Sequence, residues 1–188
     1  MEMEKRTQTG ELRVEEKTKK IVGLAAVFNK RSQDLGGFVE IIQPGAFRKA
    51  IESQSDVRAL WNHDSNFVLG RTLSGTLTLK ETDDGLEVEI VPPETNLARD
   101  LLESINRGDV SQMSFAFMVR EGGQKFTEEE DGTIIRTLTD LDLYEVSPVA
   151  FPAYQDTSVA MRAIQKMNRY NASAIKAKMK LGLHNRTF

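Results

Sequence analysis

Leu73-Ser74-Gly75-Thr76-Leu77-Thr78-Leu79-Lys80-Glu81-Thr82-Asp83-Asp84-Gly85-Leu86-Glu87-Val88-Glu89-Ile90-Val91 reads as a β-hairpin. Its arms, Leu73 to Glu81 and Leu86 to Val91, flank Thr82-Asp83-Asp84-Gly85, where Asp and Gly tolerate the positive φ of tight turns. Pro92-Pro93 ends it. Upstream, Ile21 to Phe28 is a continuous apolar run of strand length, followed by a second short run from Phe38 to Ile42, and together they predict a strand pair. After Pro44-Gly45, the residues Phe47, Ala50 and Ile51 repeat at helical spacing, so a short helix is expected. Val57, Ala59, Trp61 and His63 alternate with Arg58, Leu60 and Asn62, the period of a strand, up to a turn at Asp64-Ser65-Asn66.

Downstream of the hairpin, Thr95 or Asn96 can cap a helix whose apolar residues Leu97, Ala98, Leu101, Leu102 and Ile105 follow a 3.6 period until Gly108. A strand from Ser111 to Arg120, a loop containing the acidic Glu128-Glu129-Glu130-Asp131-Gly132, and a long strand from Thr133 to Val146 follow. Asp156-Thr157-Ser158 can cap a final helix. Short strands with a few interrupting helices predict an α+β, mainly antiparallel chain, a β-barrel or sheet with helices packed outside.

The 188 residues suit one domain with an appended tail. Residues 1–20 form a charged segment, a mobile start or an edge strand; 21–160 form the main domain; 161–188 form a basic C-terminal helix or tail. The net charge of −3 conceals an asymmetry, because Thr157 to Phe188 has seven Lys or Arg and no Asp or Glu, leaving 18 basic against 28 acidic residues, or −10, elsewhere. Such a tail can seek an acidic partner or nucleic acid, and a solvated helix explains it equally well. No apolar run approaches the roughly 20 residues that cross a bilayer, and the N-terminus lacks a signal-peptide pattern, so a soluble, unexported protein is expected. Absence of cysteine excludes disulfides, thiol chemistry and thiolate zinc sites. With only two histidines, far apart, a metal site would need mostly carboxylates.

Three side chains are candidates for chemistry. Ser114 lies in Gln112-Met113-Ser114-Phe115-Ala116-Phe117-Met118, where alternation puts Met113, Phe115, Phe117 and Val119 on one face and Ser114 with Ala116 on the less bulky other face. Such a serine either leaves room for a substrate backbone or is buried and bonded to a neighbouring carbonyl. As a nucleophile it needs a base, and His63 is the only histidine in the body of the chain. The imidazole in turn needs a third group to fix its tautomer. Alternation along Asp140-Leu141-Asp142-Leu143-Tyr144-Glu145-Val146-Ser147 puts Glu145 with Leu141 and Leu143, where a carboxylate loses hydration and calls for a partner. That partner is His63, or an arginine such as Arg71 or Arg136 in a structural ion pair. Asp142 is the second choice for the third group.

Gly36-Gly37-Phe38-Val39-Glu40, Pro44-Gly45-Ala46-Phe47, Leu60-Trp61-Asn62-His63-Asp64, Leu69-Gly70-Arg71-Thr72, Ser114-Phe115-Ala116-Phe117 and Glu145-Val146-Ser147-Pro148-Val149 with Pro152-Ala153-Tyr154 occur in this order. Over about residues 20 to 160 the sequence resembles the prohead maturation proteases of tailed bacteriophages. These are related to the herpesvirus capsid maturation proteases, serine peptidases whose fold is a closed or nearly closed β-barrel surrounded by helices. The resemblance implies that fold, with His63 as base, Ser114 as nucleophile and no cofactor. The herpesvirus enzymes use a second histidine as third member, which this late strand lacks; Glu145 is carried into that role. His184 lies in the tail, beyond the matching region. Backbone donors for the oxyanion are sought in the loop from Ser147 to Tyr154.

The resemblance further implies a serine endopeptidase inside the phage procapsid, in the host cytoplasm, that removes the scaffold segment of the major capsid protein and cuts itself. Its partners would be that capsid protein and itself, with homodimerisation suggested by the herpesvirus relatives, rather than membrane or nucleic acid. A rival expectation is a catalytically silent capsid assembly or scaffolding module that binds shell protein through its basic tail. Another is an esterase or amidase using the same groups; no Gly-x-Ser-x-Gly elbow surrounds Ser114.

Overall fold

A computed structural model describes residues 3–8 and 11–151. The hairpin forms as β7 (Leu77–Glu81) and β8 (Gly85–Ile90), closed by the Thr82 amide donating to the Gly85 carbonyl at 2.8 Å. Neither Asp83, Asp84 nor Gly85 takes a positive φ. Glycine is needed at 85 for another reason: a Cβ there would lie 1.9 Å from the Ala26 carbonyl oxygen, so only glycine lets β3 (Ile21–Val27) approach. β3 carries β2 (Leu12–Val14) on its other side, giving the antiparallel sheet β2-β3-β8-β7.

A second sheet places the candidate residues. Its order is β1 (Glu4–Gln8), β9 (Gln112–Val119), β12 (Leu141–Val149), β5 (Arg58–Trp61), β6 (Asp64–Arg71), antiparallel except for the parallel pair of β12 with β5. The third sheet is β10 (Gln124–Glu128), β11 (Ile134–Leu138), β4 (Val39–Ile42). Within the charged residues 1–20, Glu4–Gln8 thus form an edge strand of the central sheet and Leu12–Val14 an edge of another.

The expected closed barrel surrounded by helices is not formed. All three sheets are open, and among the described residues only two α-helices occur, α1 (Arg48–Glu52) and α2 (Asn96–Asn106), too few for a surrounding shell. Closure requires one continuous staggered ladder. Here the expected long strand from Thr133 breaks at Thr139-Asp140, where the Thr139 amide donates to the Gly123 carbonyl, and the chain passes from the small sheet into the central one. The expected pairing of the runs at 21–28 and 38–42 fails for a related reason. β4 pairs in parallel with β11 instead, and part of the expected acidic loop is β10.

Local capping follows the sequence closely. Thr95 Oγ1 accepts the Ala98 amide at 3.2 Å, Ala98, Leu101 and Ile105 form the buried face of α2, and Gly108 ends it with φ 82°. Phe47, ahead of α1, is fully buried and its amide donates to Glu81 Oε1 at 2.8 Å. Its ring meets Phe115 edge-on at 5.5 Å, and Phe115 stacks on Phe117 at 5.2 Å, so the bulky face of β9 is the core face. The less bulky face, bearing Ser114 and Ala116, is turned the other way. The expected final helix from Asp156 and the basic tail lie outside the described residues.

Candidate active site

His63 is not at the end of an alternating strand. Trp61 and Asp64 are partners across a hairpin whose two-residue loop is Asn62-His63, with φ of 52° and 60°. Positive φ at both loop positions is the signature of a type I′ turn, which matches the twist of the flanking strands. Asn suits that conformation, whereas an imidazole there costs about 1 kcal/mol or more. The turn is pinned to the end of β12: the Asn62 amide donates to the Pro148 carbonyl at 3.1 Å, and Asn62 Oδ1 accepts the Ala150 amide at 2.9 Å. The Asp64-Ser65-Asn66 turn expected from sequence is instead the start of β6.

Glu145 reaches the site through a β-bulge. Leu143 faces Phe117 and Glu145 faces Ala116, so Tyr144 is an extra residue in β12. Strict alternation, which groups Glu145 with Leu141 and Leu143, is therefore overturned: the extra residue reverses the parity and delivers the carboxylate to the face of Ala116 and Ser114. There Glu145 Oε1 is bonded to His63 Nδ1, and Ser147 Oγ donates to Glu145 Oε2. A carboxylate in its ionised form only accepts, and with Glu145 in that form Nδ1 carries the proton and Nε2 presents a lone pair. His63 Nε2 is buried and has no hydrogen-bond partner among the described residues.

Ser114 stands opposite Ser147 across the β9–β12 ladder, and both are fully buried. Its hydroxyl donates to the Arg6 carbonyl of β1 at 2.8 Å. The structure thus brings His63 and Glu145 together, sets Ser114 on the same sheet face, and leaves the hydroxyl on a neighbouring carbonyl rather than on the imidazole. Asp142 is not part of this group. Two arginine nitrogens of Arg120, Nε at 2.7 Å and Nη2 at 2.6 Å, hold its carboxylate beside Met118, beyond the bulge.

Neither arginine considered for Glu145 is near it in bonding terms. Arg71 grips Asp56 through Nε at 2.6 Å and Nη2 at 2.7 Å, while Thr72 Oγ1 accepts the Val57 amide, so the Leu69-Gly70-Arg71-Thr72 segment fixes the start of β5. Hydrogen bonding from Arg71 holds the Asp56 carboxyl below its usual value. Arg136 belongs to a buried cluster with Glu4, Glu40 and Arg6. It meets both Glu4 oxygens at 2.6 and 2.7 Å and Glu40 at 3.0 Å, while Arg6 reaches Glu40 at 2.8 Å and Glu4 at 2.7 Å. Burial alone would raise the Glu4 carboxyl, but Arg136 and Arg6 outweigh it and hold it below the usual carboxylate value.

Sequence reasoning missed Ser147, although its spacing of two from Glu145 within one strand was a usable signal. It also missed Arg6, for which no local pattern exists. Of the segment in which oxyanion donors were sought, Ser147 to Val149 belong to β12, and Pro152-Ala153-Tyr154 lie outside the described residues, as does His184. Among the described residues, no three His, Asp or Glu side chains are grouped as ligands for a metal ion.

Over residues 5–171 the chain matches the family described as caudovirus prohead serine protease. Among solved structures it is similar to the capsid assembly protease gp21 of bacteriophage T4, at 11% identity and a TM-score of 0.49, over 79% of this chain and 97% of that one. No curated protein matches it.

Proposed function

The chain belongs to the caudovirus prohead serine protease family, and on that premise we propose that it is a serine endopeptidase with Ser114 as nucleophile, His63 as general base and Glu145 as the group that orients the imidazole. One observation carries the assignment: His63 is bonded through Nδ1 to a buried carboxylate, and its buried Nε2 has no partner among the described residues. A buried polar atom without a partner is costly, and one held in a defined tautomer is ready to accept a proton.

In the proposed reaction the Ser114 hydroxyl turns from the Arg6 carbonyl towards Nε2 and attacks the scissile carbonyl carbon as Nε2 takes its proton. The carbon–nitrogen bond then breaks, with the proton passing from the imidazolium to the leaving amine, and an acyl-serine remains. Water, deprotonated by the same nitrogen, releases the acid and restores Ser114. Glu145 stays ionised throughout and stabilises the imidazolium. The substrates we assign are the scaffold segment of the major capsid protein and the protease itself, inside the procapsid in the host cytoplasm. We place the catalytic unit in residues 21–160, with β1 laid along the nucleophile strand, and treat 161–188 as an appended basic segment.

The bond from Ser114 to Arg6 favours a second reading, a catalytically silent assembly module in which Ser114 is only structural. One experiment separates the two. A fluorophosphonate probe should label the folded chain at Ser114, His63→Ala should abolish the label, and co-expression with the capsid protein of the same virus should shorten that protein only when Ser114 is intact. Labelling at another residue, or a capsid protein of unchanged length, sinks the protease assignment in favour of the silent module.

A further inference from the structure

We infer that Ser147 is a positioning residue for the proposed reaction, holding the carboxylate plane of Glu145 so that the imidazole of His63 stays aligned; this rests on the reading of His63 and Glu145 above. The two carboxylate oxygens have divided duties, Oε1 meeting His63 Nδ1 and Oε2 receiving the Ser147 hydroxyl. The last torsion of a glutamate side chain is broad. One hydrogen bond would leave the carboxylate free to rock about it, whereas two bonds on separate oxygens fix both its plane and its height.

The surroundings make that second bond hard to replace. Ser147 is fully buried and Glu145 nearly so. Without the hydroxyl, Oε2 would be a charged acceptor with no partner, in a place where bulk water does not reach. The ladder adds a geometric argument. Ser147 stands directly opposite Ser114, and the next residue, Pro148, receives the Asn62 amide through its carbonyl. A short stretch of β12 therefore sets the carboxylate, the turn that bears the imidazole, and the strand position facing the nucleophile. Ser147 is not itself a rival nucleophile, since its proton is directed to a carboxylate oxygen and not to an imidazole nitrogen.

The test uses the full chain and an isosteric pair. Ser147→Thr keeps a hydroxyl, Ser147→Val has the same shape without one, and Ser147→Ala is a smaller variant also lacking it. The rate of fluorophosphonate labelling at Ser114 is measured across pH for each, with circular dichroism to confirm folding. Loss of the hydroxyl should slow the plateau rate about tenfold, the weight of one hydrogen bond to a charged group. Ser147→Thr should recover most of that rate. If Thr and Val behave alike, or Val and Ala profiles superimpose on the parent, Ser147 is only packing and the inference is overturned. If His63→Ala labels as fast as the parent, the underlying protease reading has failed instead.

Discussion

The Glu4–Arg6–Glu40–Arg136 cluster and the His63–Glu145–Ser147 group are both buried and both draw on strands of the central sheet, yet they differ in what they leave over. In the first, two carboxylates meet two guanidinium groups, and every guanidinium nitrogen has an acceptor, including the Lys5 carbonyl and Gln124 Oε1. Arg6 also lies over the Phe117 ring at 5.5 Å and Arg136 over Phe38 at 5.8 Å. The second group has one buried nitrogen without a partner. A cluster that serves the fold is closed on itself, because each unsatisfied polar atom costs stability. One that serves chemistry keeps a valence open.

The comparison breaks most visibly at Glu145. Glu145→Gln should lower cleavage of the capsid protein about 10⁴-fold, as expected when an orienting carboxylate is lost, while urea denaturation shows a folded chain. Asp142→Asn, which disturbs only the pair with Arg120, should leave cleavage nearly intact. Equal losses in the two variants would place the third member elsewhere. In the closed cluster the effect falls on stability instead. Arg136→Ala leaves Glu4 and Glu40 short of a cation and should destabilise the chain by about 3–5 kcal/mol in urea. A change under about 1 kcal/mol would show that the cluster is not the structural counterpart we take it to be.

The smallest effect is a pH dependence. The Glu4 carboxyl titrates lower in the folded chain than in the unfolded one, so in that interval the unfolded state binds more protons and stability rises with pH. Its contribution is present above the ordinary glutamate value of about 4.3 and is lost as pH falls through the lowered folded value. The urea midpoint of Glu4→Gln should accordingly fall less steeply on acidification than that of the parent. Parallel slopes would remove Glu4 from the account.

Which parts of this were legible in the sequence follows from range. The hairpin at Thr82 to Gly85, the cap at Thr95 and the bulky face of β9 depend on neighbours within a few residues, and periodicity reads them directly. Sheet membership does not, because β4 finds β11 across about half of the chain and no local pattern announces it. His63 and Glu145 are legible as residue types, but their placement is not. The strand period stops at Asn62, where the chain turns, and slips at Tyr144, the extra residue, and counting by two crosses both breaks unmarked. The buried charge cluster was invisible, since Glu40 and Arg136 carry no signal of each other until the strands are paired.

The separation within that cluster bears on the order of events during synthesis. Glu4 and Arg136 are 132 residues apart, so while the chain is being made the carboxylate exists long before its principal cation. Glu4 and Arg6 already pair with each other on one strand, but Glu4 gains its two bonds from Arg136 only once β11 has emerged, after β9, the strand that β1 lines. Completion of the charge cluster at the sheet edge beside Ser114 therefore waits on residues far along the chain. Until β1 docks, a nascent chain leaves the strand that carries Ser114 unpaired along that edge.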